Sequence, residues 1–261
     1  MRCSQGLVGS SPTRRMRSLE DRSDVLASAA AGLSASAIAA RTGLPRSTVR
    51  DWLGSGPETK RREWSGAELA ARDRLRYAYL LGIYLGDGYI ARMRRTWCLR
   101  VFLDDAYPAI VESVSTAVEA ISPSGRSARY ASSSRGSMVV VYSYGRHWLA
   151  AFPQHGAGHK HERLIELAPW QARIVDEHPW ALLRGLIHSD GSRSLNTTRV
   201  RGAEYRYPRY QFSNRSEDIL RIFTKACDRV GCGWTRMNGH AISVARRDDV
   251  RLMDEFIGPK A

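Results

Sequence analysis

The chain has 261 residues, 43% of them hydrophobic and 25% charged, which excludes a wholly disordered polypeptide and leaves ample chain for a core in one large domain or two smaller ones. Its formal net charge is +14, and of 40 basic residues only Lys60, Lys160, Lys225 and Lys260 are lysines, leaving 36 arginines. No apolar run approaches the roughly 20 residues of a membrane helix and no signal-peptide stretch opens the chain, so no membrane partner is expected and the chain reads as soluble and cytoplasmic.

Two readings account for the arginines: codon bias in a GC-rich genome, and a polyanionic partner, since guanidinium forks pair bidentately with phosphates and guanine edges. The four cysteines, Cys3, Cys98, Cys227 and Cys232, form no CxxC pair and read as reduced thiols, Cys227 as a core residue. Residues 1–20 carry Ser, Gly, Pro and Arg without a hydrophobic period and read as a disordered basic arm, with Met16 an alternative start.

Residues 22–54 read as three short helices. Val25, Leu26, Ala29 and Ala30 share one face of the first, which Gly32 stops. Ser34 or Ser36 caps a second helix holding Ile38 and Ala39 and ending at Thr42-Gly43. Pro45 leads to a third, with Ser47 as its cap and Val49, Trp52 and Leu53 turned inward. The spacing of Ala39, Gly43 and Val49 is that of a helix-turn-helix: a small residue for close approach, a glycine for the turn, a valine to pack back. The segment resembles the helix-turn-helix modules of bacterial DNA-binding proteins, which implies that the third helix presents Arg46, Ser47, Thr48 and Arg50 to the major groove. The alternative is a helical hairpin with no DNA role. Residues 55–71 read as a linker, with Gly54-Ser-Gly-Pro57 breaking the helix and Lys60, Arg61 and Arg62 forming a basic patch.

From residue 72 the chain repeats. Repeat 1 (72–153) carries Leu80-Leu-Gly-Ile-Tyr-Leu-Gly-Asp87-Gly88, then strand-like Trp97–Leu103, helix-like Tyr107–Ile121, strand-like Met138–Tyr144 and a short helix ending at Phe152. After a connection (154–177), repeat 2 (178–258) carries Leu183-Arg-Gly-Leu-Ile-His-Ser-Asp190-Gly191, then strand-like Tyr205–Phe212, helix-like Ser216–Val230, strand-like Ala241–Ala245 and a helix reaching Phe256. Asp87 to Phe152 is 65 residues and Asp190 to Phe256 is 66, as two copies of one α-β-β-α-β-β-α unit would give.

The small residues four apart, Gly82/Gly86 and Gly185/Ser189, make little sense inside an isolated helix, where glycine costs about 1 kcal/mol against alanine. They make sense if the two motif helices pack backbone to backbone, with Gly88 and Gly191 as C-caps. Asp87 and Asp190 then end both helices at one pseudo-twofold axis, where the negative macrodipole disfavours a carboxylate. Such a pair repels unless a cation bridges it, which is the composition of a Mg²⁺ site for phosphodiester chemistry.

The paired motifs, 103 positions apart, closely resemble those of single-chain LAGLIDADG homing endonucleases over residues 72–258. The resemblance implies an α+β fold in which two antiparallel sheets form a saddle on double-stranded DNA, acting as a monomer with internal pseudo-twofold symmetry. It implies Asp87 and Asp190 as catalytic, metal-binding carboxylates, with the backbone carbonyls of Gly86 and Ser189 as further ligands. It also implies a basic residue near the attacking water, for which Lys160 in the connection is the candidate. The sixth motif position, often acidic in the family, is Leu85 in one copy and His188 in the other. Relatives that join this fold to a helix-turn-helix, such as the sporulation regulators of actinobacteria, control transcription without cutting and tend to lose the acidic pair, which this chain keeps. An intein nuclease is a third class, but no splicing sequence flanks the repeats.

Strand alternation proposes the faces that meet DNA. Leu99, Val101 and Leu103 share one face, leaving Arg100 opposite. Tyr210 and Phe212 pack inward while Tyr207, Arg209, Gln211 and Ser213 face out, with Arg199 and Arg201 extending the stripe. The alternative at each residue is an ordinary solvated strand face. His155, His159 and His161 match no standard zinc spacing and read as a solvated or phosphate-touching loop.

Overall fold

The computed structural model describes residues 19–54, 62–132 and 137–258. Of the arm expected over 1–20, residues 1–18, Met16 included, lie outside the described residues, as does the linker stretch 55–61 with Lys60 and Arg61, while Leu19 and Glu20 are not arm but the first residues of a helix. The chain divides into two compact units, residues 1–62 and 63–261.

The first unit holds α1 (Leu19–Ala30), α2 (Ala35–Thr42) and α3 (Arg46–Gly54). Ser34 caps α2 by accepting from the Ala37 N–H, and Gly43 ends it in the left-handed region at φ 67°, which a side chain would resist. Val25, Ile38 and Val49 are fully buried, and Ala29, Leu33, Ala39, Leu44, Trp52 and Leu53 close round them. Three expectations are corrected here. Leu26 is exposed, as is Ala30, and the inward face of α1 runs through Val25, Ser28 and Ala29. Ser28 tolerates burial because its hydroxyl donates to the Asp24 carbonyl one turn back. Ser47 does not cap α3, since the helix already begins at Arg46 and the Pro45 carbonyl accepts from the Val49 N–H.

The second unit opens with α4 (Gly66–Ala70), inside the stretch read as linker. A capping box starts it, Ser65 accepting from the Glu68 N–H while the Glu68 carboxylate takes the Ser65 N–H. The first half then runs α5 (Arg74–Asp87), β1 (Gly88–Arg92), β2 (Trp97–Asp104), α6 (Pro108–Ile121), β3 (Ala128–Ser132), β4 (Met138–Tyr144) and α7 (His147–Ala151). A connection containing a 3₁₀ turn at Lys160–Glu162 and helix α8 (Pro169–Glu177) leads to the second half. That half runs α9 (Pro179–Asp190), β5 (Gly191–Val200), β6 (Ala203–Ser213), α10 (Glu217–Arg229), β7 (Thr235–Asn238), β8 (Ala241–Val244) and α11 (Arg247–Phe256). Both halves are α-β-β-α-β-β-α, and the fold is α+β. No described helix is long and apolar enough to cross a membrane.

Each half builds a four-stranded antiparallel sheet of the same order, β1-β2-β4-β3 and β5-β6-β8-β7. Alternation decides the faces. Ile90, Leu99, Val101, Leu103 and Val141 in one sheet, and Tyr210, Phe212, Ile242 and Val244 in the other, point into a single core shared with α5, α6, α9 and α10. At its centre α5 is buried along every residue from Tyr77 to Leu85, so this helix is apolar all round rather than amphipathic.

Backbone contact between α5 and α9 explains the small residues. A Cβ on Gly185 would fall 2.2 Å from the Tyr79 carbonyl oxygen, and one on Gly82 would fall 2.6 Å from that of Leu182. Neither neighbour is a side chain that could swing away. Gly88 and Gly191 do follow their helices, but not as left-handed caps. Both are extended, at φ −84° and −103°, and each is the first residue of a strand. Glycine is needed there for room: a Cβ would sit 2.5 Å from Tyr84 Cα and 2.6 Å from Ile187 Cα.

Candidate active site and nucleic-acid faces

The close crossing of α5 and α9 sets the ends of the two motifs side by side. A Cβ on Gly86 would lie 2.3 Å from Ser189 Oγ and 3.0 Å from Asp190 Oδ2, so the Asp190 carboxylate rests over the residue that precedes Asp87. Both aspartates are half-buried. Asn214, just past the end of β6, donates from Nδ2 to Asp190 Oδ2 at 2.6 Å and accepts the Ser216 N–H at 2.8 Å, which ties the carboxylate to the start of α10. Ser189 Oγ donates back to the carbonyls of Gly185 and Leu186. His188, at the sixth motif position, is buried and meets the Tyr79 hydroxyl through Nδ1 at 3.1 Å, so it serves the seam between the helices.

Lys160 reaches the same place from the connection. Its Nζ donates to the carbonyls of Leu85 (3.0 Å), Gly86 (2.9 Å) and Gly88 (2.8 Å), also contacts that of Tyr84, and stands 5.0 Å from the centre of the Tyr84 ring. Those of Leu85 and Gly86 are among the carbonyls a helix leaves without intrahelical partners at its C-terminus, where a cation is favoured, while that of Tyr84 also accepts the Gly88 N–H and that of Gly88 already belongs to β1. The ammonium is pushed down to about 8, burial being the main cause; Asp190 and Asp87 act against the fall and Arg163 adds to it.

The connection is built to deliver this lysine. Arg163 donates to the carbonyls of Gln154, Gly156, Ala157 and Gly158, gathering the glycine-rich segment around one guanidinium. The segment's ends are held by buried amides: Gln154 Nε2 donates to Gln171 Oε1 at 2.6 Å, and Gln171 Nε2 donates to the Tyr77 hydroxyl at 2.7 Å. His155 packs edge-on to Trp97, and burial, with Arg163 adding to it, lowers its pKa. His159 and His161 stack on each other at 5.3 Å. Among the described residues no three His, Cys, Asp or Glu side chains converge as a metal-binding group.

The cleft above the two motif ends has a volume of about 820 Å³ and is lined by Gly86, Lys160, Asp190, Asn214, Arg215 and His240, among others. Its oxygen donors are the hard ligands that Mg²⁺ prefers, and Mg²⁺ is commonly held by one or two carboxylates with water and substrate phosphate completing the shell. The missing Cβ at Gly86 gives the Asp190 carboxylate the space it occupies. Asp87, Asp190 and the carbonyls of Gly86 and Ser189 are oxygen donors of that class.

The residues expected to read DNA are not all placed alike. On α3, Arg46, Ser47 and Arg50 are exposed, but Thr48 is buried beside Val49 and is not on the surface that α3 presents. Arg100 faces away from the core side of the first sheet, and Arg209 and Gln211 do so on the second, each half-buried. Arg199 and Arg201 leave that stripe. Arg199 pairs in register with Glu204 on the opposite face and lies 3.6 Å from its carboxylate, while Arg201 sits in the two-residue turn between β5 and β6 at φ 51°. The parity of a strand flips at every residue, so a stripe through Arg209 and Gln211 continues through Ser194 and Ser192, not through Arg199. Asn214 and Arg163 were missed from the sequence. Neither belongs to a motif, and only the fold brings them to the site.

Comparison with known proteins gives a family model, described as a homeodomain-like domain, that matches residues 16–55. No curated protein sequence matches the chain. Among solved structures the chain is similar to I-DmoI in complex with DNA and Mn, at 12% identity over 72% of this chain and 99% of that one, with a TM-score of 0.47. It is similar to I-SmaMI bound to an uncleaved DNA target with calcium ions, at 11% identity over 70% and 85%, TM-score 0.46. It is also similar to the LAGLIDADG meganuclease I-AabMI bound to uncleaved DNA, at 11% identity over 69% and 84%, TM-score 0.44.

Proposed function

We propose that the chain is a site-specific, Mg²⁺-dependent endonuclease of double-stranded DNA, acting as a monomer, with its N-terminal three-helix unit as a second DNA-binding module. The observation that carries this reading is the seating of the Asp190 carboxylate over Gly86, beside Asp87, by two helices that could not approach so closely with larger residues. Two carboxylates at two helix C-termini repel each other and stand in an unfavourable field, and a bound cation relieves both.

Asp87 and Asp190 would hold that cation with the carbonyls of Gly86 and Ser189. When bound, it supplies charge stabilisation for the phosphodiester and lowers the pKa of a water. The chain's own residues do the rest. Asn214 fixes the Asp190 carboxylate through Oδ2. Lys160 supplies positive charge at the end of α5 and keeps its last turn closed. Arg100, Arg209 and Gln211 offer donors to the DNA from the sheets, and Arg46, Ser47 and Arg50 offer them from α3.

A second reading, a transcription regulator that binds DNA without cutting, is favoured by one observation: Lys160 already places a cation among the motif carbonyls. A plasmid-library nicking assay separates the two. The native chain should nick or linearise a subset of plasmids with Mg²⁺ and not in EDTA, and Asp87→Asn with Asp190→Asn should lower the rate about a thousandfold or more while DNA binding persists. Binding without metal-dependent cutting by the native chain would refute the nuclease and leave the regulator.

A further inference from the structure

The environment of Lys160 goes beyond what a capping lysine needs. An ammonium has three protons, yet four carbonyl oxygens, those of Tyr84, Leu85, Gly86 and Gly88, lie within hydrogen-bonding reach of Nζ. Three protons cannot serve four acceptors one to one, so the arrangement is that of oxygens gathered around a point charge. The face of Tyr84 lies to one side, and Asp87 and Asp190 both favour the charged form. One of the four oxygens, that of Gly86, is also a candidate ligand for the divalent ion.

The lysine has not strayed there from solvent. The chain around it is pinned by Arg163 on four carbonyls and by the Gln154–Gln171 pair. Few alternatives were at hand in a chain with four lysines, and a flexible stem ending in a compact charge is what such a cage accepts, where a planar guanidinium is not.

We infer that Lys160 is a tethered cation filling the carbonyl cage at the end of α5, holding Asp87 and Asp190 together without metal and competing with a divalent ion for the Gly86 carbonyl. This rests on reading the two aspartates as a metal pair. It makes the two motif ends unequal in their hydrogen bonds: the backbone carbonyls at the end of α5 take the ammonium, which acts on Asp190 and Asp87 alike, and only the Asp190 carboxylate takes a neutral amide donor, that of Asn214.

The test uses the full chain stripped with EDTA, with Mn²⁺ uptake followed by electron paramagnetic resonance and thermal melting recorded in parallel. Lys160→Met should melt below the native chain in EDTA, regain the difference when Mn²⁺ is added, and bind Mn²⁺ about tenfold more tightly. Adding Asp87→Asn to that variant should abolish the gain. Equal Mn²⁺ affinity in native chain and variant, or equal melting in EDTA, overturns the inference. If Lys160→Met fails to fold even with Mn²⁺, Lys160→Gln is read by the same criteria, its amide offering two of the lost donors without charge. If the native chain binds Mn²⁺ and the variant binds it no better, the lysine assignment alone fails. If neither takes up Mn²⁺, the metal-pair reading fails with it.

Discussion

The two halves of the 63–258 unit share an element order and a sheet topology, yet they present different chemistry on the faces turned from the core. The first sheet turns out Tyr89, Arg100, Phe102, Tyr130, Tyr142 and Tyr144, with Tyr142 tilted against Tyr130 at 5.7 Å and edge-on to Tyr144 at 5.6 Å. Beneath them Val140 is fully buried although it lies outside the main core. The second sheet turns out Ser192, Ser194, Arg209, Gln211 and Ser243, a row of hydrogen-bonding groups, and β5 and β6 run on past β8 as a two-stranded ribbon whose same face carries Tyr205 and Tyr207. The motif ends differ in the same sense. Register places Leu103 of the first half where Asn214 stands in the second, since Gly88 pairs with Val101 and Gly191 with Phe212. Pseudo-symmetry here is a property of the backbone. The polar groups proposed to meet bases, and the amide that orients a carboxylate, are concentrated in the second half.

The seam is where the halves should behave alike, and it carries the largest expected effect. Gly185→Ala and Gly82→Ala each drive a methyl into backbone of the partner helix, so each should cost about 3 kcal/mol or more, read as a lower denaturation midpoint at unchanged slope. Gly86→Ala is the control that separates stability from chemistry. Its clash is with the Ser189 side chain and Asp190 Oδ2, which can move, so stability should change by about 1 kcal/mol while metal-dependent cutting is lost. Equal stability losses at all three positions would mean that the site is as rigid as the seam.

This contrast also explains what could be read from the sequence. The repeat, the joined helices and the aspartate pair follow from residues whose presence in a helix is otherwise costly: paired glycines in an apolar run, an acid at a C-terminus. Helix α4 was equally legible from Ser65 and Glu68, but the Gly-Ser-Gly-Pro stretch before it suggested a longer linker. Asn214, Arg163 and the cage around Lys160 carry no such mark. A single polar residue in a turn has no period, and its partner lies 24 residues away for Asn214 and 72 to 76 away for Lys160. Thr48 failed for a related reason. A helix surface is assigned by its apolar neighbours, and a small hydroxyl residue is compatible with either side.

The sheets should differ in how they hold DNA. Arg209→Ala and Gln211→Ala should each relax sequence preference and weaken specific binding by about 1–3 kcal/mol, whereas Tyr142→Ser and Tyr144→Ser should leave preference intact and weaken binding less. Titration of binding against salt sharpens the point: loss of Arg209 should flatten the slope by about one if it meets a phosphate and leave it unchanged if it meets a base edge. Selectivity lost on the tyrosine side and kept on the arginine side would reverse the comparison.

The smallest effect concerns acid. His147, at the start of α7 in the first half, is held down to about 4 by burial, with Arg72 adding to it, and its buried Nε2 has no hydrogen-bond partner. Between that value and the ordinary 6.5 the unfolded chain binds a proton that the folded chain does not, so stability falls as pH drops through this window. The ring is partly exposed, which limits the loss to about 1–2 kcal/mol after allowance for solvent screening. In the second half Asp254 is held below the usual carboxylate value, first by the hydrogen bond from Arg193, and its contribution survives until more acid conditions. Hydrogen exchange at pH 7 and pH 5 should therefore show β4 and α7 losing protection before β6 and α11. His147→Phe should remove the difference, because it fills the same site without a titrating nitrogen. Exchange that accelerates equally in both halves, or that His147→Phe leaves unchanged, would show that the halves part company in the chemistry of their surfaces and not in the stability of the scaffold beneath.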